Sequence, residues 1–362
     1  MRKVFLCTFL FVSACSQSSV AQVVLNKDSS LTISGYADVY AAFYTDSVGH
    51  GNFQKFPTVS PRHALGLNIA VATLKYSQKK YHVVIGLHYG DIPLSAWSPR
   101  YNNIQEAYAG FRLSKKIWID GGFFRTHTGA EGLMPKENIT SSISVATFNE
   151  PYYEGGVKLN YKPSPKLTLD FYLLNGYNIY ADNNANKSFG MLASYTVNDK
   201  LNMGYSNYIG DDTPDSIVGS HLRNFENIFL NYEKKKFKLQ VAVDFITQGN
   251  SDIAGTGSAQ AWSGFATFKY KPCKKAAVYS RGEFFSDADG FLDGVLIDTK
   301  SKTTGIKLWG LTLGAEYKPT GFSYIRLEAR QLQCDKAQEI FRWKGDNKAY
   351  RSEIMFHIGC FF

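Results

Sequence analysis

One short stretch sets a pattern that recurs along the chain: Tyr81-His82-Val83-Val84-Ile85-Gly86-Leu87-His88-Tyr89-Gly90. Successive side chains of a β-strand point to opposite faces of the strand. The odd-numbered residues of this stretch are apolar or aromatic, and the even-numbered ones are mostly small or polar. An amphipathic helix would instead repeat its apolar residues at intervals of three and four. The stretch therefore predicts a strand with one apolar face.

The same alternation predicts about sixteen strands in the 362-residue chain. The composition agrees, because 31 Gly, 26 Phe, 23 Tyr and only 20% charged residues are typical of strands that are apolar on one face. The predicted strands are 30–44, 63–77, 80–92, 103–114, 116–125, 151–163, 166–178, 186–197, 199–210, 221–233, 236–248, 259–271, 274–286, 303–318, 321–334 and 349–362.

The connections between these strands alternate between short and long. The short ones are the turn at Gln78-Lys79, 114–116, 162–166, 197–200, 233–236, 270–275 and 317–321. The long ones are 45–62, 92–102, 125–150, 178–187, 210–221, 248–259, 286–303 and 334–349. This alternation is expected when short turns lie on one side of a membrane and long loops on the other. The chain is therefore predicted to form an all-β, antiparallel, up-and-down transmembrane barrel with periplasmic turns and extracellular loops.

Closure of the sheet follows from the absence of water in lipid. An unpaired backbone N–H or C=O group at an open sheet edge is costly there, and a closed barrel pairs every strand. The apolar face of each strand then contacts lipid, and the other face lines the lumen. A soluble lectin-like or sandwich protein is the alternative, but such proteins rarely place Phe, Leu and Tyr outward along every strand.

The N-terminus has the order of a secretory signal peptide. Arg2 and Lys3 precede an apolar run, and small and polar residues follow up to Ala21. The run is too short to cross a bilayer as a helix. Cleavage after Ala21 would leave 22–362 as the barrel domain, whereas Val12-Ser13-Ala14-Cys15 resembles a lipoprotein signal that would place lipid on Cys15.

Charge and cysteine content argue against a nucleic-acid-binding protein, a disulfide-stabilised protein and a metalloprotein. The net charge is +9, but many of the lysines lie in short turns, as in Lys79-Lys80 and Lys234-Lys235-Lys236, so no nucleic-acid partner is expected. Three scattered cysteines, Cys273, Cys334 and Cys360, form no disulfide framework. The sequence contains no Cys/His metal-binding pattern, and neither a metal nor another cofactor is expected.

Several motifs resemble one known family. They include Leu31 to Tyr40 at the first strand, Trp118 to Phe124, the loop with Gly129, Glu131 and Asn138, Asn149 to Gly156, Leu174 to Tyr177 and Tyr208 to Asp215. From about Ser30 onward the chain resembles the OmpL-like β-barrel porins of Gram-negative outer membranes, although members often have Trp at the position of Tyr177. The resemblance implies an outer-membrane channel and no particular solute. The last strand, Met355 to Phe362, is similar to the terminal strands of such barrels, which implies that the barrel-assembly machinery recognises it.

A barrel of about sixteen strands leaves room for an aqueous channel. Charged groups facing lipid at mid-depth cost about 2–4 kcal/mol for Arg or Lys, so charges within strands are expected to face a water-filled lumen. Such charges either stiffen the wall or select ions. The candidate lumen residues are Glu106, Arg112, Asp120, Glu154, Lys158, Asp170, Arg281, Glu283, Glu316, Arg326, Glu328 and Arg330.

The third long loop, 125–150, is too long for a simple turn. It either folds into the barrel and narrows the pore, or caps the barrel from outside. Its candidate constriction residues are His127, Glu131, Lys136, Glu137 and Asn138.

The function expected from these features is passive diffusion of small hydrophilic solutes or ions through the outer membrane, with lipid as the surrounding partner. A receptor, adhesin or structural barrel without an open channel is the alternative. An enzyme is not expected, because no nucleophile and base share a known motif. Asp211, Asp212 and Asp215 could bind a cation, although a polar surface loop explains them better. The sequence predicts no oligomeric state.

Overall fold

The computed structural model describes residues 22–26, 30–48, 52–56 and 62–362. The predicted signal peptide, 1–21, and Cys15 therefore lie outside the described residues. Sixteen long antiparallel strands form the molecule's main sheet. They are β1 (Leu31–Tyr44), β2 (Leu65–Ser77), β3 (Tyr81–Tyr89), β4 (Ile104–Arg112), β5 (Ile117–Arg125), β6 (Tyr153–Tyr161), β7 (Leu167–Leu174), β8 (Ser188–Thr196), β9 (Leu201–Gly210), β10 (Arg223–Lys234), β11 (Phe237–Gln248), β12 (Ala259–Tyr270), β13 (Ala276–Asp287), β14 (Lys307–Tyr317), β15 (Ser323–Cys334) and β16 (Tyr350–Phe361).

The sheet closes because β1 pairs with both β2 and β16. Tyr36 lies opposite Phe361 and Tyr44 lies opposite Glu353, so the two ends of the barrel chain form one continuous ladder. The start of β1 extends past the end of β16, and there Val23–Val24 pairs with it as a short additional strand. The prediction of a closed sixteen-stranded antiparallel barrel is confirmed.

Short turns and long loops alternate around the barrel as predicted. Two long loops contain small hairpins, Leu296–Ile297 with Thr303–Thr304 and Phe341–Trp343 with Asp346–Lys348. Helical structure in the described ranges is limited to α1 (Asp91–Ala96), a 3-10 turn (Pro135–Glu137) and α2 (Val145–Phe148). None of these is long and apolar enough to cross a membrane.

Side chains alternate between an apolar outer surface and a buried inner face. In β3, Ile85 is 44% exposed and faces outward, whereas His82 on the inner face is 3% exposed. In β14, Trp309, Leu311 and Leu313 are exposed and Thr312 is buried. Exposed tyrosines such as Tyr81, Tyr195 and Tyr317 lie beside the short turns, where an aromatic girdle is expected. The outer surface therefore has the character of a surface that contacts lipid.

A charge at the centre of this outer surface should be costly. Ile85→Arg is expected to reduce the free energy of unfolding in lipid vesicles by about 2–4 kcal/mol, because Ile85 lies midway along β3. Tyr81→Arg, at the end of the same strand beside a short turn, should cost at most about 1 kcal/mol. Denaturant titration measures both values, and equal losses for the two variants would contradict the assignment of the outer surface.

Candidate functional site

The loop between β5 and β6 lies inside the barrel. Most of its residues between positions 127 and 150 are buried, and Ile143, Ser144 and Val145 are almost completely inaccessible. Ser144 caps α2 by accepting a hydrogen bond from the Thr147 backbone N–H. We call residues 126–152 the inner loop. It packs against Ala261 and Phe265 on β12 and binds residues of β13 and β15.

Arg281 on β13 holds the centre of the inner loop. Its guanidinium donates to Thr140 Oγ1 (3.0 Å) and Ser142 Oγ (2.8 Å), and also to the backbone carbonyls of Ser142 and Ile143. The same group lies 3.2 Å from the Glu131 carboxylate. Because Arg281 has no exposed surface, these partners take the place of water.

Arg326 on β15 holds the preceding part of the inner loop. It donates to the carbonyl oxygens of Pro135 (2.8 Å), Thr140 (2.9 Å) and Asn138 (3.1 Å). Its charge is balanced by Glu316 on β14 at 2.7 Å, which also pairs with Lys269 at 2.6 Å.

Acidic groups bind the backbone N–H groups of the same loop. Glu328 on β15 accepts from the N–H groups of Ser141 (2.7 Å) and Ser142 (3.1 Å). Glu283 on β13 accepts from the Val145 N–H (2.8 Å) and pairs with Arg330 at 2.9 Å. Charged wall residues and the loop backbone are thus complementary between positions 135 and 145.

The five candidate constriction residues have different surroundings. Glu131 also accepts from the Ser144 N–H (2.7 Å), and Glu137 pairs with Arg125 (2.8 Å). The Lys136 ammonium lies 4.6 Å from the centre of the Tyr36 ring. Asn138 bonds to both backbone groups of Gly132 and so closes a turn within the loop.

The fifth, His127, anchors the start of the inner loop. Its Nδ1 lies 2.7 Å from Glu154 Oε1 on β6, and its Nε2 lies 2.7 Å from the carbonyl oxygen of Asn207 on β9. Both ring nitrogens face acceptors, an arrangement that favours the protonated ring because that form has two N–H donors. Its ring also stacks on Tyr172 at 4.2 Å.

The remaining candidate lumen residues fall into three groups. Asp120 lies between His82 (2.9 Å) and Lys158 (3.0 Å). Asp170 accepts a hydrogen bond from Asn160, and Glu106 lies on the inner face of β4 near Lys158. Arg112 stands apart from all of these. It is exposed at the end of β4 and bonds to turn carbonyls at positions 114 and 115.

Sequence analysis predicted that these charges face water. Many of the charged wall residues are instead buried. The side chains of Arg281, Glu283 and Arg330 are 0% exposed because the inner loop covers them. The sequence gives no direct sign of this covering, since the loop residues are more than a hundred positions away from the wall residues that bind them.

Sequence reasoning missed a second set of inner-wall charges. Arg351 and Glu353 on β16 lie 2.7 Å apart, and Arg351 also reaches Asp46 at 3.5 Å. His357 on the same face lies 2.9 Å from Asp38 on β1. Their spacing of two along a strand is the same signal that identified Arg326, Glu328 and Arg330, so the sequence contained it.

Two titratable groups of the inner loop have raised pKa values. Burial alone would lower the pKa of His127, but the Glu154 carboxylate and the Asn207 carbonyl outweigh it and raise the pKa above 6.5. Burial raises the pKa of Glu150 well above 4.5, and the nearby carboxylates of Asp244 and Glu131 add to this effect.

The chain matches one known family over almost its whole length. A family described as "Putative beta-barrel porin-2, OmpL-like" matches residues 30–362. The chain belongs to this family. It is a porin-type outer-membrane barrel, as its sequence motifs predicted.

Solved structures of this fold share the architecture of this OmpL-like barrel at low sequence identity. The anion-selective porin from Comamonas acidovorans has a TM-score of 0.62 and 10% identity, covering 92% of this chain and 99% of that one. OmpT of Vibrio cholerae has a TM-score of 0.60 and 10% identity, covering 94% and 100%. The outer-membrane channel DcaP of Acinetobacter baumannii has a TM-score of 0.59 and 10% identity, covering 91% and 96%. These likenesses show the fold alone. No curated protein matches the sequence.

The acidic loop after β9 has a structural explanation. Asp211 accepts hydrogen bonds from the side chains of Thr213 (2.6 Å) and Ser220 (2.6 Å) and from the Thr213 N–H (3.0 Å). Burial would raise the pKa of Asp211, but these bonds prevail and lower it to about 2. Across the described ranges, no group of three His, Cys, Asp or Glu side chains is placed to hold a metal ion.

Removing the central arginine should release the inner loop. Arg281→Met leaves Glu131 and the loop carbonyls without their donor, so we expect a loss of about 3–5 kcal/mol in the free energy of unfolding. Limited proteolysis should also cut between 131 and 147. The control is Arg342→Met, at an exposed position in an outer hairpin. Equal stability of the two variants would show that the network does not hold the loop.

The attachment of the inner loop to the barrel wall should weaken as the pH rises. Since the pKa values of His127 and Glu150 are raised in the folded protein, the stability they contribute is complete below their ordinary values and is lost as the pH passes through the raised ones. Hydrogen exchange of residues 127–150, corrected for intrinsic rates, should be faster at about pH 9 than at about pH 5. Glu150→Gln should reduce this difference, and Glu339→Gln, at an exposed position, should not. A pH-independent rate in the wild type would contradict the assignment.

Proposed function

We propose that the protein is a porin that lets small hydrophilic solutes or ions cross the outer membrane by diffusion. The observation that carries the proposal is the closed barrel of sixteen strands, which is too wide for its own wall residues to fill. An additional segment, the inner loop, occupies part of the interior. A lipid-facing surface outside and polar groups inside are what passage of water-soluble molecules requires.

In this proposal the short turns face the periplasm and the long loops face the outside. Export would use the signal peptide 1–21, with lipidation at Cys15 as the alternative processing. The final strand, β16, ends beside Phe362, whose backbone pairs with Gly35 at 3.0 Å. That strand is the segment we expect the barrel-assembly machinery to recognise.

The inner loop would set the width of the channel. Its contacts with Arg281, Arg326 and Glu328 hold it inside the barrel, where it would reduce the cross-section of the channel. A receptor, adhesin or structural barrel is the competing function. We propose no catalytic activity, because the buried charges of the interior bind one another and the loop.

Planar-bilayer recordings test the proposal directly. The refolded protein should show single-channel conductance with a defined solute-size cutoff. Deleting residues 130–146 should raise the conductance and the cutoff, because the segment occupies part of the lumen. The control is a deletion in an outer hairpin, 342–347, which should change neither value.

Heat-modifiable gel mobility must show that each variant is folded before its current is interpreted. Absence of conductance from folded wild-type protein would favour the receptor or structural function. Unchanged conductance in the folded 130–146 deletion would reject the role of the inner loop as the constriction.

A further inference from the structure

The inner wall of the barrel is buried unevenly. Every inward-facing residue of β12, β13 and β15 is buried, including Thr267, Arg281 and Arg330. On the other side, where His82 on β3 and Asp120 on β5 are also buried, seven inward-facing residues of β2, β4, β5 and β6 are partly exposed. These are Thr73, Lys75, Glu106, Tyr108, Trp118, Lys158 and Asn160. In a closed barrel, exposure of an inward-facing side chain midway along a strand means that water reaches it from the lumen.

The partly exposed side carries its own charges. Glu106 lies within electrostatic reach of Lys75 and Lys158 on the wall and of Arg125 and Glu137 at the edge of the inner loop. The side chain of Lys158 is 17% exposed and that of Arg125 is 33% exposed, whereas that of Arg281 is 0% exposed. The charges that water can reach are therefore different from the large arginine network.

Gly86 on β3, which is buried, gives two neighbouring side chains room to lie over the wall. A Cβ built there would lie 3.0 Å from Glu106 Cγ and 3.4 Å from Thr73 Oγ1. Thr73 and Glu106 thus lie over the glycine from the two neighbouring strands, and a side chain at position 86 would compete with them for this space.

We propose that the solute path runs beside β2–β6, between that wall and the Arg125–Glu137 edge of the inner loop, and that Lys75, Glu106 and Lys158 determine its ion selectivity. The arginines of β13 and β15 then hold the inner loop in place and do not contact solutes. This inference rests on the proposed channel function. The path takes small hydrated ions and solutes, because both signs of charge line it and no apolar pocket is needed.

Two threonines on opposite sides of the lumen provide a matched test. Thr73→Cys and Thr267→Cys are made in a chain whose native cysteines are replaced. Both side chains face inward, and both substitutions are nearly isosteric. The hydroxyl of Thr267 has no hydrogen-bond partner among the described residues, so the change there removes no bond. Each variant is exposed to a charged methanethiosulfonate reagent in bilayers, and its current is followed.

We expect stepwise loss of current for Thr73→Cys and no change for Thr267→Cys. Modification of Thr267→Cys with loss of current, or no effect on Thr73→Cys, would overturn the proposed path. Mass spectrometry of the same variants after labelling in detergent measures accessibility without any current. If the protein conducts no ions but only Thr73→Cys is labelled, the proposed channel function is rejected. The inference that water reaches the β2–β6 side of the lumen is still supported.

The selectivity residues are tested by charge removal. Lys75→Gln should shift the reversal potential in a salt gradient toward cation preference. Lys238→Gln is the control, because Lys238 also faces inward near a short turn but lies on β11, across the barrel. An equal shift from both variants would indicate a general effect of charge at the channel mouth and would overturn the assignment to β2–β6.

Discussion

The structure depends on one pairing, the ladder between β1 and β16. Without it two strand edges would face lipid with unpaired backbone groups, which a bilayer does not tolerate. With it, residues more than three hundred positions apart become neighbours, as Asp38 and His357 do at 2.9 Å. Closure also fixes which side chains face inward. Every polar contact in the interior follows from that choice, because a shift of one residue would exchange the two faces.

Closure of sixteen strands creates a problem of its own, since the wall residues cannot meet across the lumen. Buried charges need partners, and here the inner loop supplies them. Arg281 and Arg326 bind loop carbonyls while Glu283 and Glu328 bind loop N–H groups. Replacing one member of such a network leaves an uncompensated buried charge, so the network disfavours any loop position that separates these groups.

The sequence predicted the barrel well because strand alternation and loop length are local properties. Stretches such as 81–90 showed their lipid-facing side directly, and Arg326, Glu328 and Arg330 were recognised as sharing one face. The sequence could not predict what would cover that face. Glu328 binds the backbone of Ser141 and Ser142, and no pattern in residues 138–147 encodes this pairing. Arg351 and Glu353 were overlooked although they have the same spacing as the residues that were found.

The charges of the interior differ in how close water comes to them. A charge that is fully paired and dry contributes little to the field that a passing ion experiences, because its partner lies within about 3 Å and opposes it. The dense arginine network on β13 and β15 therefore contributes to architecture. A smaller number of partly exposed groups, among them Lys158, whose side chain is 17% exposed, lie where water can reach them. Counting inward-facing charges from the sequence therefore overestimates the number that act on solutes. The side of this barrel with more charged residues is the side where those residues are less exposed.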